Sequence, residues 1–280
     1  MTFRDPRDVL KDHGLWTKKQ FGQNFLIDGQ IVERIVNVSG ALPNDIAYEI
    51  GAGCGTLTSM IAPKVKRLVS LEYDRNLIPV LDRELGAFEH VEIRSANVLD
   101  IDWQAESESA QQPLMLFGNL PYHLSSDIIL SLIEKAGYWR RACFMVQKEF
   151  GERLAATAGS RESSALSVQL QLIGFTSVAF YVPPESFVPA PKVDSCVIVI
   201  EAKPSLEKDP NFLKAFRIVV RSLFGQRRKM ARKALKTTGL APEALLQKAG
   251  LDGSRRGETY NLEELSQLAS AYQQLISDTP

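Results

Sequence analysis

From about residue 31 to residue 200 the chain alternates short apolar runs with amphipathic stretches, and this alternation limits the fold more than any other feature. The runs "DIAYEI" (45–50), "RLVSLEY" (67–73), "VEIRSA" (91–96), "PLMLFGN" (113–119) and "ACFMVQ" (142–147) read as short buried strands. Between several of them lie stretches such as "QIVERIVNVSG" and "LIPVLDREL", amphipathic at helical spacing. Strands that bury both faces need cover on both sides, and strand–helix alternation supplies it as a parallel sheet between helical layers. The expected fold is a doubly wound α/β sheet. "FTSVAFYV" and "SCVIVIEA" follow with little helix between them and are expected to form an antiparallel edge pair.

The character changes after Pro204. "DPNFLKAFRIVVRSLFG" sets Phe212, Phe216, Val219, Val220 and Leu223 on one helical face, Gly225 breaks that helix, and "RRKMARKALK" starts another. "NLEELSQLASAYQQLI" closes the chain with Asn261 as N-cap and Glu264 three residues on, a capping box. The expected division is an α/β domain over residues 1–205 and a small all-helical domain over 206–280, with the boundary near 203–210. A chain of 280 residues has ample material for both.

A formal charge of zero conceals an asymmetry. Residues 201–280 carry fourteen Lys and Arg against nine Asp and Glu, so the first 200 residues are net acidic and the end is net basic. Between Lys214 and Lys236 stand nine basic residues and no acidic one. A solvated helix face explains many charge runs, but the lack of any compensating acid here points to phosphate contact, with Arg227, Arg228 and Lys229 as the residues expected to make it. "KK" at 18–19 extends the same expectation. Cys54, Cys143 and Cys196 are odd in number and far apart, which supports neither a disulfide framework nor a metal site. No apolar run approaches the roughly 20 residues of a membrane span. The acidic residues Asp5, Asp8 and Asp12 argue against a targeting peptide, so a reducing cytoplasm is the expected setting.

"YEIGAGCGTLT" follows the first predicted strand and opens a helix. Gly51, Gly53 and Gly55 permit a tight turn and let a ligand approach bare backbone, at the strand end where such sheets bind nucleotides. Glu72 ends the second strand 19 residues after Gly53, where a carboxylate accepts hydrogen bonds from ribose hydroxyls. The glycines read GxGxG and not the GxGxxG of dinucleotide folds. With Glu49 just ahead, that spacing suits S-adenosylmethionine (SAM) better than NAD. Asn97 ends the third strand, where its side chain either reaches an adenine edge or caps the strand end.

The fourth strand runs into "FGNLPYHL" (117–124). Asn, Pro and Gly also make ordinary turns, but beside a SAM site this turn suits methylation of an exocyclic amine on a base. The lone pair of such a nitrogen is delocalised into the ring. Two acceptors binding its hydrogens pull it toward tetrahedral geometry; Asn119 through its side-chain oxygen and Leu120 through its carbonyl are the candidates. Pro121 fixes its own φ and so the carbonyl's direction. Tyr122 is placed to stack on an extruded base. Positioning then supplies most of the catalysis.

With these motifs in hand the chain resembles the small-subunit rRNA adenine N6,N6-dimethyltransferases, the family linked to kasugamycin sensitivity. The resemblance runs through "KKQFGQNFLID" (18–28), "EIGAGCGTLT" (49–58), "NLPYHLSS" (119–126), "MVQKEFGERL" (145–154), "LSVQLQ" (166–171), "VPPESFVPAPKVDS" (182–195) and "FGQRRKMARKAL" (224–235). It implies a Rossmann-like SAM-dependent methyltransferase sheet with a helical rRNA-binding domain, and methyl transfer to N6 of two adjacent adenines in a small-subunit rRNA hairpin loop. It implies SAM as cofactor, no metal, an rRNA partner within a pre-ribosomal particle, and a monomer. Asn24 and Leu26 would join Gly51, Gly53, Glu72, Asn97 and Asn119 around SAM, and Phe187, expected to be exposed in a proline-stiffened loop, would face Tyr122 across the target base. The family usually has Asp where Asn97 stands and Asn where His123 stands. The first change is expected to weaken cofactor binding at most, and the second to be a substrate-side variation. Three competitors remain: a large-subunit rRNA adenine methyltransferase of the antibiotic-resistance type, a non-catalytic ribosome-assembly factor of the same fold, and, weakest because of the glycine spacing, a NAD-dependent oxidoreductase.

Overall fold

The computed structural model describes residues 3–15, 23–203 and 209–278; the lysine pair at 18–19 lies outside them. Among the described residues nine strands form: β1 (Phe25–Leu26), β2 (Ile46–Ile50), β3 (Arg67–Glu72), β4 (Val91–Ser95), β5 (Leu114–Asn119), β6 (Trp139–Gln147), β7 (Gly174–Val182), β8 (Phe187–Val188) and β9 (Ser195–Ala202). Seven build one sheet in the order β4-β3-β2-β5-β6-β9-β7. The pairs from β4 through β6 are parallel, and β9 is antiparallel to β6. The expected late pair thus occupies one edge, with β7 outermost. β2 and β5 are buried almost throughout, as strands covered on both faces must be. From β2 the chain proceeds outward to β3 and β4, and from β5 the other way to β6. The seam between β2 and β5 is the topological switch point, where ligands of such sheets bind.

Helix Gly29–Ser39 shows how the cover is made. Asp28 caps its first turn by accepting from the N–H groups of Gln30 and Ile31, and Gly40 ends it in a left-handed conformation. Its buried face, Ile31, Val32, Ile35 and Val36, joins Met115, Phe117 and Cys143 in the sheet core. β1 and β8 form a separate two-stranded antiparallel ladder, Leu26 opposite Phe187, that joins segments far apart in sequence.

The chain divides into two units, one comprising residues up to Gly151 together with Thr176–Ala202, the other Glu152–Phe175 with the residues from Lys203 onward. The second unit is built on helix Pro210–Phe224, capped by Asp209 and ended by Gly225, and helix Leu262–Ser277, capped by the reciprocal bonds of Asn261 and Glu264. Phe216, Val219, Val220 and Leu223 bury against Leu245, Tyr260, Leu265 and Leu268. Two expectations need correction. Residues 152–175, read with the first domain, cluster with the second unit, because Ala158 and Val168 (in helix Ala165–Ile173) bury in this helical core. The helix expected from "RRKMARKALK" begins only at Ala231. Arg227–Lys229 lie in a turn and bend, because Met230 bridges to Arg256 and the Ala231 N–H bonds to the Arg255 carbonyl.

Candidate active site

Ile50, the last residue of β2, pairs with Gly118 of β5, so Gly51 leaves the sheet at the level where Asn119 ends its strand. The close approach depends on Gly118: a Cβ there would lie 2.6 Å from the Ile50 carbonyl oxygen. Gly51, Gly53 and Gly55 all have positive φ (76°, 60° and 79°), a backbone region costly to residues with a Cβ. Gly53 also makes room for the Phe25 ring, whose edge would be 3.1 Å from an added Cβ. Together these elements border a cavity of about 450 Å³ within the first unit. Asn24, Leu26, Gly51, Gly53, Glu72, Asn97, Asn119, Leu120, Pro121 and Tyr122 all line it.

Glu72 holds the loops around this cavity. One carboxylate oxygen accepts the Gly53 N–H at 2.8 Å and the other the Asp74 N–H at 2.8 Å, with the side chain buried. Burial raises its pKa, opposed by those backbone bonds. Beneath it Glu49, 1% exposed, accepts from the hydroxyls of Thr58 and Ser70. Burial pushes it up to about 8, against the pull of both hydroxyls and with a small push from Glu72. At the strand-four side, the Asn97 side-chain oxygen accepts the Leu99 N–H at 3.1 Å, which caps a short 3₁₀ turn. The cap and the cavity lining therefore belong to the same side chain.

On the opposite wall the Asn119 amide donates from Nδ2 to the Asn24 carbonyl at 2.8 Å. That bond commits the nitrogen and leaves Oδ1 as the acceptor a ligand can use. Leu120 is fixed by its N–H to the Met145 carbonyl at 3.0 Å, and the turn is closed by Leu124 N–H on the Pro121 carbonyl at 2.9 Å. Tyr122 is half-buried, with its hydroxyl 2.8 Å from Ser195 Oγ. Burial raises its pKa, so the phenol keeps its proton.

Phe187 departs from expectation. It is 3% exposed, packed in the core with Phe180 and Val182, and absent from the cavity lining; its place in the ladder opposite Leu26 buries a ring expected from the proline-rich loop to be exposed. Sequence reasoning also missed Gln23 and Asp74. Asp74 is buried, accepts from Gln23 Nε2 at 3.1 Å and lines the cavity, two residues past Glu72 in "EYDR". That spacing was the available signal. His123 lines the same cavity and is exposed. The basic residues belong to the second unit: Arg228 and Lys229 are exposed, while Arg227 donates to the Arg161 carbonyl at 2.8 Å and stands 5.9 Å from the Phe224 ring centroid.

A glycine loop tied to a strand-end acid, set beside an Asn-Leu-Pro-Tyr turn on a doubly wound sheet, defines a Rossmann-like methyltransferase fold. The sequence profile described as ribosomal RNA adenine dimethylase matches residues 15–274, and the chain belongs to that family. It is 36% identical over 266 residues to the ribosomal RNA small subunit methyltransferase A of Magnetococcus marinus, covering 94% of each chain. In fold it is similar to a dimethyladenosine transferase from Plasmodium falciparum, with a TM-score of 0.74, 21% identity and coverage of 87% of this chain and 95% of that one. It is also similar in fold to the 23S rRNA methyltransferase ErmE, with a TM-score of 0.69, 23% identity and coverage of 89% and 99%.

Proposed function

We propose that this protein is a SAM-dependent rRNA adenine dimethyltransferase, acting on the N6 amines of two adjacent adenines in a small-subunit rRNA hairpin loop during ribosome biogenesis. The observation that carries the reading is the Gly51–Asn119 seam, which sets a nucleotide-type loop and an amide-bearing turn in one cavity. The residues present suit SAM: three glycines at positive φ leave backbone bare, and a buried carboxylate stands at the end of the next strand. Gly51, Gly53, Glu72 and Asn97, with Asn24, Leu26 and Asn119 on the other wall, would hold it. When bound, SAM supplies an electrophilic methyl group.

The chain's own part is to present the amine. Asn119 Oδ1 and the Leu120 carbonyl accept its two hydrogens and localise the nitrogen lone pair. Tyr122 stacks on the extruded base, a contact worth roughly 1–3 kcal/mol. No strong general base is required, since positioning lowers most of the barrier. Phe187 would reach the base only if the β1–β8 ladder opened. Arg228 and Lys229, with Arg227 to a lesser degree, would contact RNA phosphates from the helical unit. The substrate would be rRNA within a pre-ribosomal particle and the enzyme a monomer; three buried free cysteines suit a reducing, cytoplasmic setting. The small-subunit reading is preferred to the large-subunit one because the 36% relative spans nearly the whole chain and bears the small-subunit name. Incubation with labelled SAM and unmethylated small subunits, followed by mass mapping of the nucleotides, tests the proposal.

A further inference from the structure

Tyr122 is fixed at both ends. Its root lies in a turn whose Pro121 carbonyl accepts from the Leu124 N–H and from Ser125 Oγ at 3.1 Å. Its tip meets Ser195 Oγ at 2.8 Å, 73 residues further along the chain. Ser195 is wholly buried and opens β9, opposite Gln147 of β6. The backbone around it is tightly set. The Lys148 N–H donates to the Asp194 carbonyl at 3.0 Å. Cys196 Sγ fills the space above Gly151, where an added Cβ would lie 2.3 Å from the sulfur.

Stacking on a base needs the face of a ring and makes no use of a hydroxyl. A tyrosine anchored only at its Cα would still turn about its side-chain bonds and lose that freedom when a base arrives. A ring immobilised beforehand has less to lose, and it holds the base in the orientation that the Asn119 and Leu120 acceptors require. We propose that Ser195 is a positioning residue of the methyl transfer, fixing the plane of Tyr122 through the hydroxyl bond so that the stacked adenine presents its amine squarely to the acceptors. The inference rests on the dimethyltransferase reading above and deepens it. It also gives the Tyr122 hydroxyl a role that stacking alone would not.

The test compares Ser195→Ala, Tyr122→Phe, their double variant and Ser195→Thr with the wild-type chain, using unmethylated small subunits and SAM. Each single variant should lower kcat about tenfold, the scale of one lost hydrogen bond, while KM for the subunits changes by less than about twofold. The double variant should be no slower than either single one, because both remove the same bond. Ser195→Thr, which keeps the hydroxyl, should recover most of the rate. A hairpin carrying 2-aminopurine at the adenine that wild type methylates should show fluorescence quenching by stacking, weakened in Ser195→Ala at equal bound fraction. A serine that merely satisfies a buried polar site would lower Tm and leave the kcat of the folded fraction and the quenching as in wild type, which overturns the proposal. Additive losses in the double variant overturn it too. An inactive wild type overturns the dimethyltransferase reading and this inference with it, whereas an active wild type with an unaffected Ser195→Ala overturns this inference alone.

Discussion

Asn119 Nδ2 donates to the main-chain carbonyl of Asn24 at 2.8 Å, across 95 residues of sequence. The bond decides which end of the amide is left for chemistry: nitrogen toward Asn24, oxygen for the substrate. Asn119→Asp keeps the acceptor oxygen but puts a second oxygen where the Nδ2 donor stands, so a carboxylate would confront the Asn24 carbonyl. Transfer should fall at least about a hundredfold, the scale seen when one aligned polar group is removed from a reacting site, with RNA affinity little changed. Asn119→Ala should abolish transfer by the same measure. Steady-state transfer beside RNA titration checks this, and activity within a few-fold of wild type would remove Asn119 from the mechanism.

Glu72 joins the glycine loop to the start of the next segment through two main-chain N–H groups. Glu72→Ala leaves both donors without their partner and removes the expected ribose acceptor. SAM affinity, read by calorimetry, should drop about a hundredfold while RNA affinity moves far less. Unchanged SAM affinity would take Glu72 out of the site.

Glu49 supplies a pH test. Its folded pKa is about 8, raised from 4.5, so over that interval the folded state holds a proton the unfolded chain has released. Stability should therefore be highest at and below about pH 4.5 as far as this residue is concerned, and its contribution should fall as pH rises toward 8. Glu49→Gln should flatten this decline and raise Tm at pH 8 by about 5 °C or more. Thermal melts of both proteins from pH 5 to pH 8.5 read it directly; parallel curves would mean that Glu49 is already ionised in the fold.

The basic turn of the second unit sets an RNA test. Each phosphate contact adds roughly 0.7 to 0.9 to the salt slope of RNA binding. Arg228 and Lys229 are exposed, whereas Arg227 is engaged with the Arg161 carbonyl. Replacing all three with Ala should flatten the slope by about two units and leave SAM affinity where it was. An unchanged slope would assign the turn to solvent.

What the sequence disclosed and what it hid follow a physical line. β2, β3, β5 and β6 were visible because a strand buried on both faces writes its environment into consecutive residues, whereas β4, expected to be buried, is an edge strand with no buried residue, because nothing among the described residues pairs with its outer side. The glycine loop, Glu72 and Asn119 were visible because each stands at a strand end, a place that spacing alone can count. Asn97 was foreseen as either cap or ligand contact, and its oxygen caps Leu99 from the cavity wall. Phe187 was misjudged because its burial depends on Leu26, 161 positions earlier, and no local pattern records such a partner. Residues 152–175 were assigned to the wrong unit for the same reason, since Val168 finds its neighbours around Phe216. The Tyr122–Ser195 bond joins two motifs that were each read separately.

The central claim is that the cavity at the β2–β5 seam transfers methyl groups to the N6 amines of neighbouring adenines in small-subunit rRNA. The measurement is nucleotide-resolved mass mapping of small subunits lacking the modification, after incubation with labelled SAM and either wild-type protein or Asn119→Ala. The account predicts two methyl groups on N6 of each of two adjacent adenines with wild type, and none with the variant. Label on large-subunit rRNA, on a ring nitrogen or ribose, or equally in both proteins would contradict it.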